Sequence, residues 1–114
     1  MPDQGDIILI PVPFTDLSTQ KRRPVIVISN NVYNRQTADV IVVALTSTVT
    51  SVAYGFSITS ADLDHGTLKR PSHVRVDKIY TLSQSIVVKV FGRVSANVMD
   101  RIRMQIQEIT GVKP

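Results

Sequence analysis

The sequence has no cysteine, few aromatic residues (5%) and no apolar run of membrane-spanning length. Without cysteine there is no disulfide framework and no thiolate chemistry. The longest apolar runs, such as Val40–Leu45, fall far short of the roughly 20 residues that a membrane span requires. His65 and His73 stand apart, with no Cys or further His beside either, so no metal-ligand spacing is present and no metal is expected. Gly92 and Gly111 are isolated, which excludes a glycine-rich phosphate loop. No Gly-x-Ser-x-Gly elbow accompanies the serines. The opening residues Met1-Pro2-Asp3-Gln4-Gly5-Asp6 carry acids where a signal peptide would carry bases. A cytoplasmic protein without membrane attachment is the expectation.

What remains is a chain of 114 residues, enough for one compact domain, expected to span 1–114. Hydrophobic residues make up 43%, so a true core is expected. The formal charge is +4 and the sequence pI about 9.8, a balance suited to a polyanionic partner. The positive charge is clustered. Lys21-Arg22-Arg23 form one group; Lys69-Arg70, with Arg75 and Lys78, form another.

Most of the chain reads as strand. Ile7–Phe14 is β-branched but interrupted by Pro11 and Pro13, as at a sheet edge or bend. Pro24–Ser29, Tyr54–Ile58, Ser72–Asp77 and Ile86–Val94 are further candidates, the last preceded by a turn at Ser83–Ser85. Val40–Thr46 is almost continuously apolar, as in a strand buried on both faces. Phe14–Arg22, Asn30–Asp39 and Asp62–Arg70 read as loops. The end differs. After Ser95, a good N-cap, Val98, Met99, Ile102, Ile106 and Ile109 recur at helical spacing, and Gly111 suits the stop. Short strands followed by one amphipathic helix predict a mainly β fold: a twisted sheet closed into a small barrel with the helix over one opening.

Four constellations can carry chemistry. Lys21-Arg22-Arg23 precedes a buried strand, where a rigid element fixes a basic cluster for phosphate; the plainer reading is a solvated charge run. Thr46 and Ser47 end the apolar strand; their hydroxyls suit a phosphate oxygen or merely a turn. In His73-Val74-Arg75-Val76-Asp77, strand alternation sends both valines to the core and His73, Arg75 and Asp77 to the other face. That row holds a base candidate, a permanent cation and a carboxylate, although an exposed salt bridge is the simpler account. Finally, the aromatics Phe14, Tyr33, Tyr54, Phe56, Tyr80 and Phe91 include candidates for stacking on unpaired bases, though core packing explains most of them.

Taken in order, these segments resemble the MazF/PemK family of toxin nucleases, and within it the Kid-like branch. The likeness runs from about residue 5 to 112. It is carried by Gly5-Asp6-Ile7, Arg23-Pro24-Val25-Ile26-Val27, Val43-Ala44-Leu45-Thr46-Ser47, Gly55-Phe56, Val74-Arg75-Val76-Asp77 and the amphipathic C-terminal helix. The resemblance implies an SH3-like barrel of the CcdB/MazF-like plasmid maintenance toxin fold, assembled as a homodimer. It implies a sequence-specific, ribosome-independent endoribonuclease, an mRNA interferase. The 2′-hydroxyl of single-stranded RNA attacks the adjacent phosphate without a metal or other cofactor. A cognate antitoxin with an acidic disordered tail is the implied protein partner.

Carried over by position, Arg23 and Thr46 match the family's active-site pair, with Arg75 and Asp77 the Kid-type catalytic Arg and Asp. Ser47 matches an auxiliary substrate contact and Phe56 a position lining the RNA site. Lys21, Arg22, Lys69 and Arg70 complete the expected RNA-binding set. One departure stands out. Some relatives carry a His or Glu in the first loop, whereas Leu17–Arg22 contains neither. His73 occupies a position that is apolar in Kid-like relatives, and it is expected to take part of the proton-transfer role. Two other functions suit the same barrel: RNA binding without cleavage, and toxin action on a protein such as gyrase.

Overall fold

The computed structural model describes residues 1–12, 21–48 and 53–113, with Val12 described in its backbone alone. Pro13, Phe14, Asp16 and the rest of the first loop up to residue 20 lie outside these, as do 49–52 between Ser47 and Ala53. The strands are β1 (Asp6–Val12), β2 (Lys21–Val27), β3 (Asp39–Thr46), β4 (Gly55–Ile58), β5 (Leu63–His65), β6 (Ser72–Ser83) and β7 (Lys89–Val94). The helices are α1 (Asn31–Gln36) and α2 (Ala96–Ile109). All strand pairs are antiparallel, in one seven-stranded sheet of order β4-β6-β3-β2-β1-β7-β5.

The chain forces this sheet to curl. β4 and β5 occupy opposite edges of the order, yet only the short segment Thr59–Asp62 joins them. Seven strands laid flat at 4.7–4.9 Å spacing would be roughly 29 Å wide. Five residue steps reach no more than about 18 Å. The two edges therefore approach each other, which produces the small-barrel architecture expected from the sequence. The link is a 3₁₀ turn closed by a capping box, in which the Thr59 N–H donates to Asp62 Oδ2 at 2.8 Å.

β3 is buried from both sides. Val43 and Leu45 join Ile7, Ile26, Val74 and Val76 in a core beneath α2. Val40 and Val42 join Ile8, Ile10, Val25 and Val27 in a second cluster on the opposite face, flanked by Leu82, Ile86 and Val87. That double burial is the reason for its unbroken apolar sequence. α2 begins where the sequence places it: the Ser95 hydroxyl accepts from the Val98 N–H at 3.3 Å. Val98, Met99 and Ile102 are its buried face. Among the described residues no helix is long and apolar enough to cross a membrane.

Several boundaries differ from the sequence reading, among them the last strand, which starts at Lys89 rather than Ile86. β2 starts at Lys21 rather than Pro24, because Lys21 and Arg22 pair with Val12 and Pro11 of β1. The expected loop Asn30–Asp39 contains α1, whose first turn is capped by Asn30 Oδ1 accepting from the Tyr33 N–H at 2.8 Å. The expected loop Asp62–Arg70 contains β5, which pairs with β7 through Leu63 and His65. β6 continues past Asp77 to Ser83: Ala44 pairs with Arg75 but Val43 with Ile79, so residues 76–78 bulge out of the ladder and pairing resumes beyond them.

The two sides of α2 give a direct stability test. Ile102 is fully buried and Met104 is 62% exposed. Ile102→Ala is expected to cost about 2–5 kcal/mol in chemical denaturation through transfer and cavity terms. Met104→Ala should stay within about 0.5 kcal/mol.

Candidate functional site

On the sheet face turned away from α2, neighbouring strands bring distant residues into one row. Thr46 of β3 is the register partner of His73 of β6, and His73 pairs on its other side with Ser57 of β4. β2 and β3 pair through Val25 and Ala44. Arg23, two residues along the strand from Val25, shares its face and lines one cleft with Thr46. Directly paired residues share a face. Arg23, Thr46, His73 and Ser57 therefore form a polar row across four strands, with a strand spacing of about 4.8 Å. Arg75 lies in the adjacent row, beside Ala44 and Gly55.

Arg23 and Thr46 line one cleft of about 390 Å³ with Ala44, Tyr80, Leu82 and Ile86. Its walls are mainly apolar, and Arg23, Thr46 and Tyr80 are its polar side chains. The Ser57 hydroxyl lies 3.3 Å from His73 Nε2 and 3.4 Å from Nδ1, within reach of either ring nitrogen. Arg75 forms a two-pronged bond with Asp77: Nε donates to Oδ1 at 2.9 Å and Nη2 to Oδ2 at 2.8 Å. These hydrogen bonds, with the attraction of the opposite charge, hold the Asp77 carboxyl below the usual carboxylate range. The same pairing raises Arg75 above the ordinary guanidinium value. Two of the five guanidinium N–H groups are used on Asp77, which leaves three for another acceptor.

The model of the family described as PemK-like, MazF-like toxins of type II toxin-antitoxin systems matches residues 3–110. The chain belongs to that family. Solved structures agree with this toxin in fold. An endoribonuclease from a mycobacterial species, in complex with its cognate antitoxin, is 24% identical; the match covers 100% of this toxin and 99% of that chain with a TM-score of 0.79. Another mycobacterial endoribonuclease is 26% identical over 99% of this toxin and 94% of that chain, with a TM-score of 0.75. A chain of a MazE–MazF structure from Deinococcus radiodurans is 20% identical over 98% of this toxin and 97% of that chain, with a TM-score of 0.79. No curated protein matches the sequence at a significant level.

The fold brings some of the expected residues of this toxin together and separates others. Arg23, Thr46, His73 and Arg75 share one sheet face, and Asp77 is bound to Arg75. Lys21 alternates to the same side as Arg23, and Arg22 to the other; both are exposed. Phe56 corrects the sequence reading. It pairs with buried Val74, is only 6% exposed, and belongs to the core beneath α2. The Arg101 guanidinium of α2 covers its ring 4.2 Å from the centroid. Phe56 therefore does not line the cleft; Gly55 and Ser57, one residue to either side, face that way. Ser47, Lys69 and Arg70 line a different cleft on the other side of the end of β3. Ser57 is the neighbour that sequence reasoning missed, and strand alternation from Phe56 and Ile58 was its only signal. Among the described residues no group of three His, Cys, Asp or Glu side chains gathers as a metal site.

The sign of the Asp77 linkage is testable. A carboxyl with a depressed folded-state value contributes stability above its unfolded value and loses it as pH falls through the folded one. The stability difference between wild type and Asp77→Asn should therefore narrow on acidification below the ordinary carboxylate range. In parallel, carboxyl NMR should show Asp77 titrating higher in Arg75→Ala.

Proposed function

We propose that this toxin is an endoribonuclease that cuts single-stranded RNA at a short sequence, independently of the ribosome, on the row formed by Arg23, Thr46 and His73. The single observation that carries the reading is that row: a guanidinium, a hydroxyl and an imidazole on three neighbouring strands, with the first two lining one cleft. Two solved proteins of the same fold are described as endoribonucleases, and the reading extends that activity to this chain.

The reaction follows from these groups. The 2′-hydroxyl attacks the adjacent phosphorus, forming the 2′-oxygen–phosphorus bond. The bond from phosphorus to the 5′-oxygen breaks, leaving a 2′,3′-cyclic phosphate and a 5′-hydroxyl. Charge builds on the phosphorane oxygens, and fixed donors at that position matter most, about 2.7–4 kcal/mol for one good donor. Arg23 and Arg75 supply forked N–H donors to those oxygens, and Thr46 adds a hydroxyl. Protein cations thus provide the charge stabilisation, and the proposed reaction uses no metal. His73 accepts the 2′-hydroxyl proton, because imidazole is the side chain whose basicity ordinarily suits neutral pH. Asp77 is a weak base once held down by Arg75; its role is to orient that guanidinium. Arg23, across Thr46 from His73, stabilises the phosphorane first and hydrogen-bonds the departing 5′-oxygen second, while water gives that oxygen the proton that makes it the 5′-hydroxyl and the imidazolium of His73 returns its proton to solvent.

The reading includes a single cytoplasmic domain acting as a homodimer and inhibited by an antitoxin. In it, the acidic disordered tail of the antitoxin covers Arg23 and Arg75. The MazE–MazF complexes and the mycobacterial complex of the same fold support a protein partner.

A long unstructured RNA incubated with the purified toxin in EDTA, with the ends then mapped, tests this directly. Cuts at one recurring short sequence are expected, reduced about 10²–10³-fold in Arg23→Ala. Bound but intact RNA would indicate a binding module, and absence of RNA binding a protein target. In a second assay His73→Ala should lower the rate and remove a limb of the pH–rate profile. An unchanged rate and profile would take His73 out of proton transfer.

A further inference from the structure

We propose that a second cleft, across the end of β3 from the Arg23–Thr46 cleft, binds the phosphate backbone of the same RNA strand away from the cut. The inference rests on the endoribonuclease reading and deepens it, and Lys89 is its new residue. The cleft has a volume of about 440 Å³, and its lining includes Ser47, Thr67, Lys69, Arg70, Lys89 and Phe91. Three cations converge on it from two separate segments, the stretch between β5 and β6 and the start of β7.

These cations are free of carboxylates among the described residues. The four ion pairs described engage Arg75, Arg93 and Arg103, and none engages Lys69, Arg70 or Lys89. The segment carrying Lys69 and Arg70 is also held in place. The Ser60 hydroxyl accepts from the Leu68 N–H at 2.8 Å and donates to the Leu68 carbonyl at 3.2 Å. Gly66 has φ of +87°, and a Cβ there would lie 2.4 Å from the Phe91 carbonyl, so this segment lies flush against β7. A backbone held before binding costs less to order when the ligand arrives.

The occupant follows from the chemistry of the lining and from continuity. Three cations with the Ser47 and Thr67 hydroxyls suit successive phosphates, and the half-buried Phe91 ring offers a base an apolar surface. Thr46 lines the first cleft and Ser47 the second. A single strand crossing the end of β3 meets both through consecutive residues. The second cleft would then make cleavage depend on the length of RNA flanking the cut, without touching the reacting atoms.

Two RNAs with the same cut sequence separate these roles: one limited to a few nucleotides around the cut, the other carrying single-stranded flanks on both sides. In wild type the longer RNA should have the higher kcat/KM. In Lys69→Ala/Lys89→Ala that advantage should fall about tenfold, carried in KM. The salt dependence of long-RNA binding should become shallower by about 1.4 in log–log slope, the value for two lost single-strand phosphate contacts. Lys89→Glu alone should reduce the advantage further than Lys89→Ala. A long-to-short ratio unchanged in all three variants overturns the second cleft while leaving the nuclease reading intact. If wild type cuts neither RNA, the nuclease reading fails. Fluorescence anisotropy with the same two RNAs then decides the cleft: length-dependent affinity lost in Lys89→Glu supports it, and equal affinity for both RNAs overturns it.

Discussion

The structure depends on the short connection from β4 to β5. Thr59–Asp62 carries the chain from one edge of the sheet to the other, and Asp62 locks the turn by returning its carboxylate to the Thr59 N–H. With the edges tethered, a seven-stranded sheet cannot stay flat. Curling gives it one face closed by α2 and another that presents polar residues along its rim. β3 sits between those faces with apolar residues on both, so it has no solvent side until its last residue, Thr46, and Ser47 just beyond it. The polar groups appear where the buried strand ends, and both clefts meet there.

Antiparallel register then does what sequence proximity cannot. Arg23, Thr46 and His73 are far apart in the chain but belong to neighbouring strands in the order β2-β3-β6. A one-residue slip in any pair would turn one of them to the opposite face. The slip is resisted by the apolar residues that alternate with them on the opposite face: Ile26 in β2, Leu45 before Thr46, and Val74 and Val76 around Arg75. Core packing thus fixes the geometry of a site with few contacts of its own, and the bulge of residues 76–78 lets β6 resume pairing beyond the Arg75–Asp77 segment.

Much of this was legible in the sequence. The His73–Asp77 alternation predicts two buried valines and an outward polar row, because period two is a property of the backbone itself. The unbroken apolar run of β3 and the Ser95 cap were equally direct. The likeness to a family set Phe56 at the RNA site by residue type, whereas the alternation Tyr54–Phe56–Ile58 already grouped it with the core face on which it is buried. α1 and β5 were hidden for another reason. Asn31–Gln36 has little apolar periodicity, and Leu63–His65 is stabilised by pairing with β7 rather than by its own composition. Pairings between distant segments are not written in either segment alone, so Ser57 beside His73 emerges only once β4 and β6 are in register.

Arg93 and Arg75 show why a bidentate guanidinium is not by itself a site. Arg93 donates through Nε to the buried Asp6 at 2.9 Å and through Nη2 to Asp3 at 3.1 Å, tying the start of β1 to β7. Two carboxylates from the N-terminal segment hold it, so its charge is satisfied where it stands. Arg75 meets a single carboxylate from its own strand, on the face that carries His73 and Thr46. Asp77 fixes the direction of that guanidinium without consuming all its donors. A strand-borne Arg with its orienting Asp two residues away is therefore preorganised for an oxyanion, whereas Arg93 is a structural clamp. The difference lies in which face the strand presents and in whether one carboxylate or two hold the guanidinium.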